Sequence, residues 1–212
     1  MMYTALRSTT LTLTGYLRAS FIADADLRLF FNAPGSMVVS PNSPQEMSEL
    51  PAEGLSVWLY RIMRDPERLN APPERISRTQ MRRVPLPLRL YYLICPVLAN
   101  TTPNSPETEQ LILGKAMQAL YDHPTLLGAD LQGGFRGTPL EITARLETLT
   151  LEDLSRVYSA LERSWQLSVS YEVSVVYIES GAEPDDISPV LIPLPEYAVV
   201  VGTPSVAEGG GP

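Results

Sequence analysis

The fold is decided by the stretch Leu55-Ser56-Val57-Trp58-Leu59-Tyr60-Arg61-Ile62, in which β-favouring side chains alternate between two faces. One face carries Leu55, Val57, Leu59 and Arg61, and the other carries Ser56, Trp58, Tyr60 and Ile62. Because both faces are bulky, we predict a central strand. Leu86 to Val97 alternates in the same way and is predicted to be a second strand.

A polar stretch, Met63 to Arg83, separates these two strands. It contains prolines and shows no period, and at about twenty residues it exceeds an ordinary connection in a compact domain. Loops of this length are either functional or disordered, so we predict an arm that leaves the sheet between two strands.

Arginine is concentrated in and around this arm. Eight of the 16 Lys and Arg residues lie between residues 61 and 89 beside three acidic residues, so this segment has a net charge near +5 in a chain of net charge −8. Guanidinium groups make bidentate contacts to carboxylates, which suits protein contacts, although a solvated loop is an equal alternative. The arginines of the candidate interface are Arg64, Arg68, Arg75, Arg78, Arg82 and Arg83.

The chain upstream of Leu55 is less regular. Met2 to Phe21 has apolar residues near helical spacing and is predicted to be a helix, although it holds five threonines. Leu27 to Phe31 and Met37 to Ser40 are predicted to form a hairpin around the turn Asn32-Ala33-Pro34-Gly35. A Pro/Ser/Glu-rich loop then leads to Gly54.

Downstream, two helices alternate with two strands. Ser105-Pro106 begins a helix that ends at His123-Pro124, and Thr150 begins a second helix with a capping box, predicted to end near Trp165. The predicted strands are Leu140 to Leu149 and Leu167 to Ile178, and the residues from Leu126 to Pro139 are predicted to form turns. In the last strand the odd positions are apolar and the even ones mostly polar until Val176.

These elements predict an α/β (α+β) fold in which a mixed or antiparallel sheet packs against two to three helices. We place the domain at residues 1–180, with the arm at 63–83, and a Pro/Gly-rich acidic tail at 181–212. An apolar island at 190–201 interrupts the tail; it either adds a strand to a neighbouring subunit or packs on its own domain. The candidate docking residues are Leu191, Ile192, Tyr197, Val199 and Val200.

Composition excludes several classes of protein. A pI near 4.7 argues against general nucleic-acid binding, which needs a basic face. No stretch approaches the roughly 20 apolar residues of a membrane-spanning helix, and no export signal is visible, so direct membrane insertion is not predicted. The single cysteine, Cys95, lies in an apolar run and is predicted to be a small core residue.

Catalytic chemistry has few candidates in this sequence. The only histidine, His123, would have to serve any Ser/His/Asp unit by itself, and no G-x-S-x-G motif accompanies it. One His and one Cys cannot supply a usual zinc site, and the glycines form no phosphate-binding loop. We therefore predict no catalytic residue, no cofactor and no metal, and a protein that acts through its surfaces.

Four blocks together carry a resemblance to a known family. In their order along the chain they are Leu55 to Ile62, Pro85 to Ile94, Leu111 to Pro124, and Leu149 to Ile178. Through most of its length the chain resembles the N-terminal domain of the tail-terminator, or cap, proteins of phage-tail-like contractile injection systems.

The resemblance implies a structural protein that forms a ring, with a homohexamer as the implied stoichiometry, on the distal end of the inner tube and sheath and stops their polymerisation. Its implied partners are copies of itself and the sheath and tube proteins. Assembly is expected in the cytoplasm, into a particle that is either released or associated with a membrane. Two alternatives remain: a baseplate or sheath-associated adaptor of the same kind of particle, and an enzyme that uses His123.

Overall fold

A six-stranded mixed sheet forms the centre of the computed structural model, which describes residues 3–32, 37–99, 105–162 and 164–188, without the side chain of Val175. The described helices are α1 (Ala5–Ala23), α2 (Arg28–Phe31), α3 (Pro44–Glu49), α4 (Ser105–Asp122) and α5 (Leu151–Ala160). The described strands are β1 (Val38–Ser40), β2 (Gly54–Arg64), β3 (Glu74–Arg75), β4 (Gln80–Arg82), β5 (Leu86–Val97), β6 (Thr125–Leu127), β7 (Glu141–Glu147), β8 (Val169–Ile178) and β9 (Asp185–Asp186).

The main sheet has the order β1-β2-β5-β8-β7-β6, and β3, β4 and β9 form a separate small sheet. In the main sheet β1 pairs parallel to β2, and all other neighbours are antiparallel. This arrangement confirms the predicted α/β fold with a mixed sheet.

The larger core lies on the inner face of the sheet, beneath α1 and α4. Leu17 and Phe21 of α1 and Ile112 and Leu120 of α4 are fully buried against strand residues such as Leu90. The Tyr16 hydroxyl donates to the Ala119 carbonyl at 2.9 Å and joins the two helices. Burial of this apolar surface is the main term that favours folding.

The threonines of α1 are compatible with a helix because their hydroxyls bond within it. Thr9 donates to the Ala5 carbonyl at 3.0 Å, and Thr12 donates to the Ser8 carbonyl at 2.8 Å. The Thr12 hydroxyl also accepts from the Gln132 backbone N–H at 3.0 Å. The polar face of α1 therefore fixes the turns after β6 instead of facing solvent.

The outer face is covered in part by α3 and α5. Met47 of α3 packs on Cys95 and Val97, and Tyr158 of α5 packs on Leu93. Cys95 is buried, as predicted from its apolar surroundings.

The predicted strand from Leu27 to Phe31 is wrong, because these residues form α2. The Asp24 carboxylate accepts backbone hydrogen bonds from Asp26 and Leu27 and starts the turn. Phe31 is then buried against Phe21, with ring centroids 4.7 Å apart. Local capping and this contact override the β-favouring composition.

The predicted hairpin is therefore also wrong: its first strand is the helix α2, and its second, β1, pairs parallel to β2 instead. The segment predicted as a loop contains α3, which begins with a capping box: Ser43 accepts from the Glu46 N–H, and the Glu46 carboxylate accepts from the Ser43 N–H. A parallel pair needs a crossover, and α3 supplies it across the outer face.

Two β-bulges change the faces that alternation predicts. An extra residue at Tyr60 shifts the register of β2 against β5, so Arg61 joins Tyr60 on the outer face instead of following Leu59. A second bulge in β8 lies between Val173 and Val176, both of which are buried. It explains why the apolar phase of that sequence changes near Val176.

Two further boundaries differ from expectation. The second downstream helix, α5, has the predicted Thr150 capping box but ends at Ala160 instead of near Trp165, because Glu162 adopts a φ of +52°. The predicted turn region contains β6, which pairs with β7.

Candidate assembly surfaces

The arm contains a small sheet of its own, separate from the main sheet. β3 and β4 form a hairpin whose turn is Ser77 to Thr79, and β9, from the first part of the tail, pairs with the other side of β4. The Ile187 N–H donates to the Thr79 carbonyl at 2.7 Å. Residues 70–80 are all exposed, so the surface of the arm is available to a partner.

Two of the candidate arginines hold the arm together. Arg83 makes a bidentate contact with Asp185, with its Nε and Nη2 atoms each 3.0 Å from a carboxylate oxygen. Arg82 forms a longer ion pair of 3.4 Å with Glu74 of β3. These side chains are more than half exposed, so each pair contributes little stability by itself. Together with the backbone pairing they fix the geometry of the arm.

The Arg83 guanidinium lowers the pKa of the Asp185 carboxyl by hydrogen bonding and by charge. The carboxyl therefore stays ionised, and the bidentate contact intact, to lower pH than an unpaired aspartate would allow.

The other four candidate arginines divide into two kinds. Arg75 donates to the Arg78 carbonyl at 3.0 Å, and Arg68 donates to the Tyr177 hydroxyl at 3.2 Å. Within the described ranges, the side chains of Arg64 and Arg78 have neither an ion pair nor a hydrogen bond. Both are exposed, which makes them the best placed of the six to meet carboxylates of another molecule.

An ion pair that sequence reasoning missed anchors the base of the arm. Asp65 is 1% exposed, accepts from the Glu67 N–H, and lies 3.0 Å from Arg89 of β5. Arg89 also lies 3.3 Å from Glu67 and 3.8 Å from Glu172. Asp65-Pro66 begins a short 3-10 turn, Pro66–Arg68, and this turn signal in the sequence marks where the arm leaves the sheet.

A polar cluster on the outer face lies beside this base. Arg61 stacks on the Tyr91 ring at 3.8 Å and forms an ion pair of 2.6 Å with Glu147 of β7. Glu147 also accepts from the hydroxyls of Tyr60 and Ser170. Burial raises the pKa of Tyr60 and keeps its hydroxyl protonated. The cluster ties β2 to β7 across two intervening strands and stiffens the sheet.

His123 lies at the end of α4 on the surface. Its ring is 6.3 Å from the Tyr16 ring in an edge-to-face arrangement, and no hydrogen bond of its side chain is seen in the described part of the chain. Across the same residues, no three His, Cys, Asp or Glu side chains are placed to hold a metal ion. None of the helices in the described ranges has the length and apolar character needed to cross a membrane.

The second predicted site lies outside the described residues. It comprises the apolar island and its docking residues Leu191, Ile192, Tyr197, Val199 and Val200. The last described residue, Ser188, lies two residues after β9.

Comparisons with known proteins agree with this fold. The chain matches the family described as the Pvc16 N-terminal domain over residues 8–192. None of the curated proteins matches it. Among solved structures it is similar to the PVC sheath/tube terminator of an extracellular contractile injection system in the extended state, with 15% sequence identity and a TM-score of 0.59, over 98% of this chain and 66% of that one.

It is also similar to the tube-terminating cap of the anti-feeding prophage, with 17% identity and a TM-score of 0.54, over 82% of this chain and 56% of that one. The chain therefore spans just under two thirds of the length of the first protein and little more than half of the second. At these identities the likeness shows a shared fold. The resemblance to tail-terminator proteins, predicted from four blocks of sequence, is confirmed.

Proposed function

This chain belongs to the family of the Pvc16 N-terminal domain, and on that premise we propose that it is a structural cap subunit of a contractile injection system. It forms a ring, a homohexamer in the simplest case, on the distal end of the tube and sheath and stops their growth. The observation that carries the proposal is the likeness of almost the whole chain to a sheath/tube terminator.

The mechanism is thermodynamic. The last ring of a growing tube or sheath exposes the surface on which the next ring assembles, and a cap that covers this surface without presenting another ends growth. A ring of weakly bound subunits is held tightly, because every contact after the first is effectively intramolecular. Capping therefore needs complementary surfaces on a rigid scaffold, such as the sheet that the Arg61 and Glu147 cluster stiffens.

In this proposal the arm makes the contact to the end of the particle. Its tip at Arg78 is exposed and its guanidinium has no partner within the described residues, so it suits a carboxylate of the sheath. Arg82 and Arg83 act differently: their partners Glu74 and Asp185 lie in the same arm. They position the tip instead of binding the particle.

No reaction is part of this function. The similarity to structural caps supports a non-enzymatic protein. The partners are further copies of the chain and the sheath and tube proteins, and nucleic acid is not among them. The protein assembles in the cytoplasm and becomes part of a contractile particle that is either released or associated with a membrane.

Electron microscopy tests the proposal directly. Contractile particles from cells with and without the gene are compared by negative stain, scoring sheath length and the shape of the distal end. We expect sheaths of uncontrolled length, or loss of a defined distal end, without the gene. Normal capped particles would overturn the proposal and favour an adaptor elsewhere in the particle. Restoring the gene with His123→Ala should restore capping, whereas an enzymatic role requires that it does not.

A further inference from the structure

One edge of the main sheet is left open along most of a long strand. β5 pairs with β2 from Gly54 to Arg64, but on the other side β1 pairs only with Gly54, Leu55 and Ser56. No strand in the described ranges pairs with residues 57–64 on that side. An open edge of eight residues is a template for another strand.

The chemistry of this edge favours a partner. The sequence of β2 has the two bulky faces of a central strand, and Ile62 and Met63 are 47% and 46% exposed. Proteins usually protect open edges with charges, but Arg61 is held over the outer face by Tyr91 and Glu147. Arg64, at the end of the edge, has no partner in the described residues.

The described part of the tail runs along the arm towards its exposed turn. β9 runs antiparallel to β4, so the chain moves from Asp185 towards the arm's turn, where Ile187 bonds to Thr79. The described chain therefore ends, at Ser188, next to the residue that bonds to the exposed turn of the arm. This departure point favours a neighbouring molecule over the subunit's own core.

The tail contains one segment suited to an open edge. Tyr197-Ala198-Val199-Val200-Val201 has β-favouring residues and no proline, and Glu196 precedes it. The prolines at 193 and 195 limit strand pairing to the residues that follow them. Five residues fit within the open length of β2.

We infer that Tyr197 to Val201 of one copy of this chain adds as an antiparallel strand to the open edge of β2 in a second copy. Among the antiparallel registers, the one that brings the Glu196 carboxylate opposite the Arg64 guanidinium also places Ala198 opposite Ile62. Each subunit gives its tail to one neighbour and receives a tail from another. This is a head-to-tail contact that closes a ring, and it rests on the proposed cap function.

Disulfide trapping between two chains tests this contact. Chains of different length, one with Ile62→Cys and the other with Ala198→Cys, are mixed and oxidised mildly; the native Cys95 is buried and stays in place. Paired Cβ atoms of opposed strand residues lie about 4.5–5.5 Å apart, close enough for a disulfide after a small adjustment. We expect a mixed, reducible dimer. As a control, Leu151→Cys, an exposed site on α5, should give none with the same tail variant.

A charge exchange tests the direction. Arg64→Glu should reduce the yield of the mixed dimer, and adding Glu196→Arg in the other chain should restore it. Failure of the mixed dimer to form overturns the inference, as does a crosslink that forms only within a single chain carrying both cysteines. The cap function is scored separately from particle ends, so capped particles without the mixed dimer reject the tail contact alone.

Discussion

At the scale of single residues, Gly54 decides whether β1 and β2 can pair. Its φ is +136°, which side chains of L-residues rarely allow, and a Cβ there would collide with the Val38 carbonyl oxygen. Gly54 is also the first residue of β2 and pairs with Val38. The absence of a side chain therefore lets the two parallel strands approach.

Gly54→Ala should destabilise the fold by about 2 kcal/mol, because the backbone must either keep a strained conformation or part the strands. Gly114→Ala is the matched control: that glycine lies in α4 with open space around it, so alanine should stabilise by roughly 0.5–1 kcal/mol. Chemical denaturation followed by circular dichroism measures both. Equal effects at the two sites would contradict the role assigned to Gly54.

Tyr92 is a second residue whose effect can be measured. Its ring is fully buried, its hydroxyl lies 2.9 Å from the Thr10 hydroxyl, and burial raises its pKa. Tyr92→Phe should cost about 1 kcal/mol at neutral pH, since Thr10 loses this partner. Tyr171→Phe should cost less, because the Tyr171 hydroxyl has no hydrogen bond within the described residues to lose.

The raised pKa of Tyr92 also predicts an alkaline effect. The unfolded state releases the Tyr92 proton at a lower pH than the folded state does. The free energy of unfolding is therefore at its full value below the pKa of Tyr92 in the unfolded state, and it falls as the pH rises towards the pKa of Tyr92 in the folded state. Tyr92→Phe should reduce this loss. Identical slopes of unfolding free energy against pH above about 10 in both proteins would contradict it.

At the scale of elements, the arm depends on a strand contributed from the tail. Asp185→Asn should raise amide hydrogen exchange across residues 74–82, because Arg83 loses its bidentate partner, while the protection of the main sheet stays unchanged. Glu183→Gln, at an exposed neighbouring carboxylate, is the control. An unaltered arm in the Asp185 variant would show that backbone pairing alone holds β9.

The same contact makes the arm sensitive to acid. Arg83 lowers the pKa of Asp185 in the folded state. The contact between the two residues therefore stabilises the arm fully above the pKa that Asp185 has in the unfolded state, and this stabilisation is lost as the pH falls through its pKa in the folded state. The wild-type arm should loosen in that range while the Asp185→Asn arm does not respond. Amide resonances of residues 74–82, followed by NMR during an acid titration, measure the difference.

The sequence predicts the long elements better than the connections between them. The strands β5 and β8 and the helix α4 were predicted because hydrophobic periodicity persists over many residues. The face of the sheet on which Arg61 lies was not predicted, because the bulge at Tyr60 depends on the pairing of β2 with β5. The pairing of β1 with β2 depends equally on contacts between distant residues.

The candidate site shows the same division. The length and charge of Met63 to Arg83 predicted an arm, but its third strand consists of Asp185 and Asp186, two residues that disfavour strands. Their pairing depends on Arg83 and on the backbone of β4. Local sequence therefore located the arginines without indicating which of them have partners in the same chain.

At the scale of the whole molecule, charge is divided between a cationic arm and an acidic remainder. Arg78→Glu should weaken attachment of the cap to the particle end without unfolding the protein, because this exposed side chain has no partner in the described residues. Arg136→Glu, an exposed arginine outside the arm, makes the same change of charge elsewhere. Cap occupancy counted in electron micrographs measures both, and equal losses would contradict a specific role for the arm.

The attachment of the cap should also depend on salt concentration. Contacts between exposed charges weaken as ionic strength rises, because the Debye length falls from about 10 Å at 0.1 M to about 3 Å at 1 M. Occupancy of the wild-type cap should therefore fall with salt more steeply than that of the Arg78 variant, which lacks the attraction. Parallel salt curves would assign attachment to apolar surfaces instead.

Truncation tests where the folded domain ends. The buried core extends from Ala5 to Val176, so a chain that ends at Ser180 should fold with nearly the full stability of the main sheet. It lacks β9, however, and its residues 74–82 should exchange amide hydrogens rapidly, whereas a chain that ends at Ser188 keeps the arm protected. Hydrogen exchange and thermal unfolding of the two chains make the comparison. If the shorter chain does not fold, residues 181–188 belong to the core of the domain; if both arms are equally protected, β3 and β4 form a hairpin that needs no third strand.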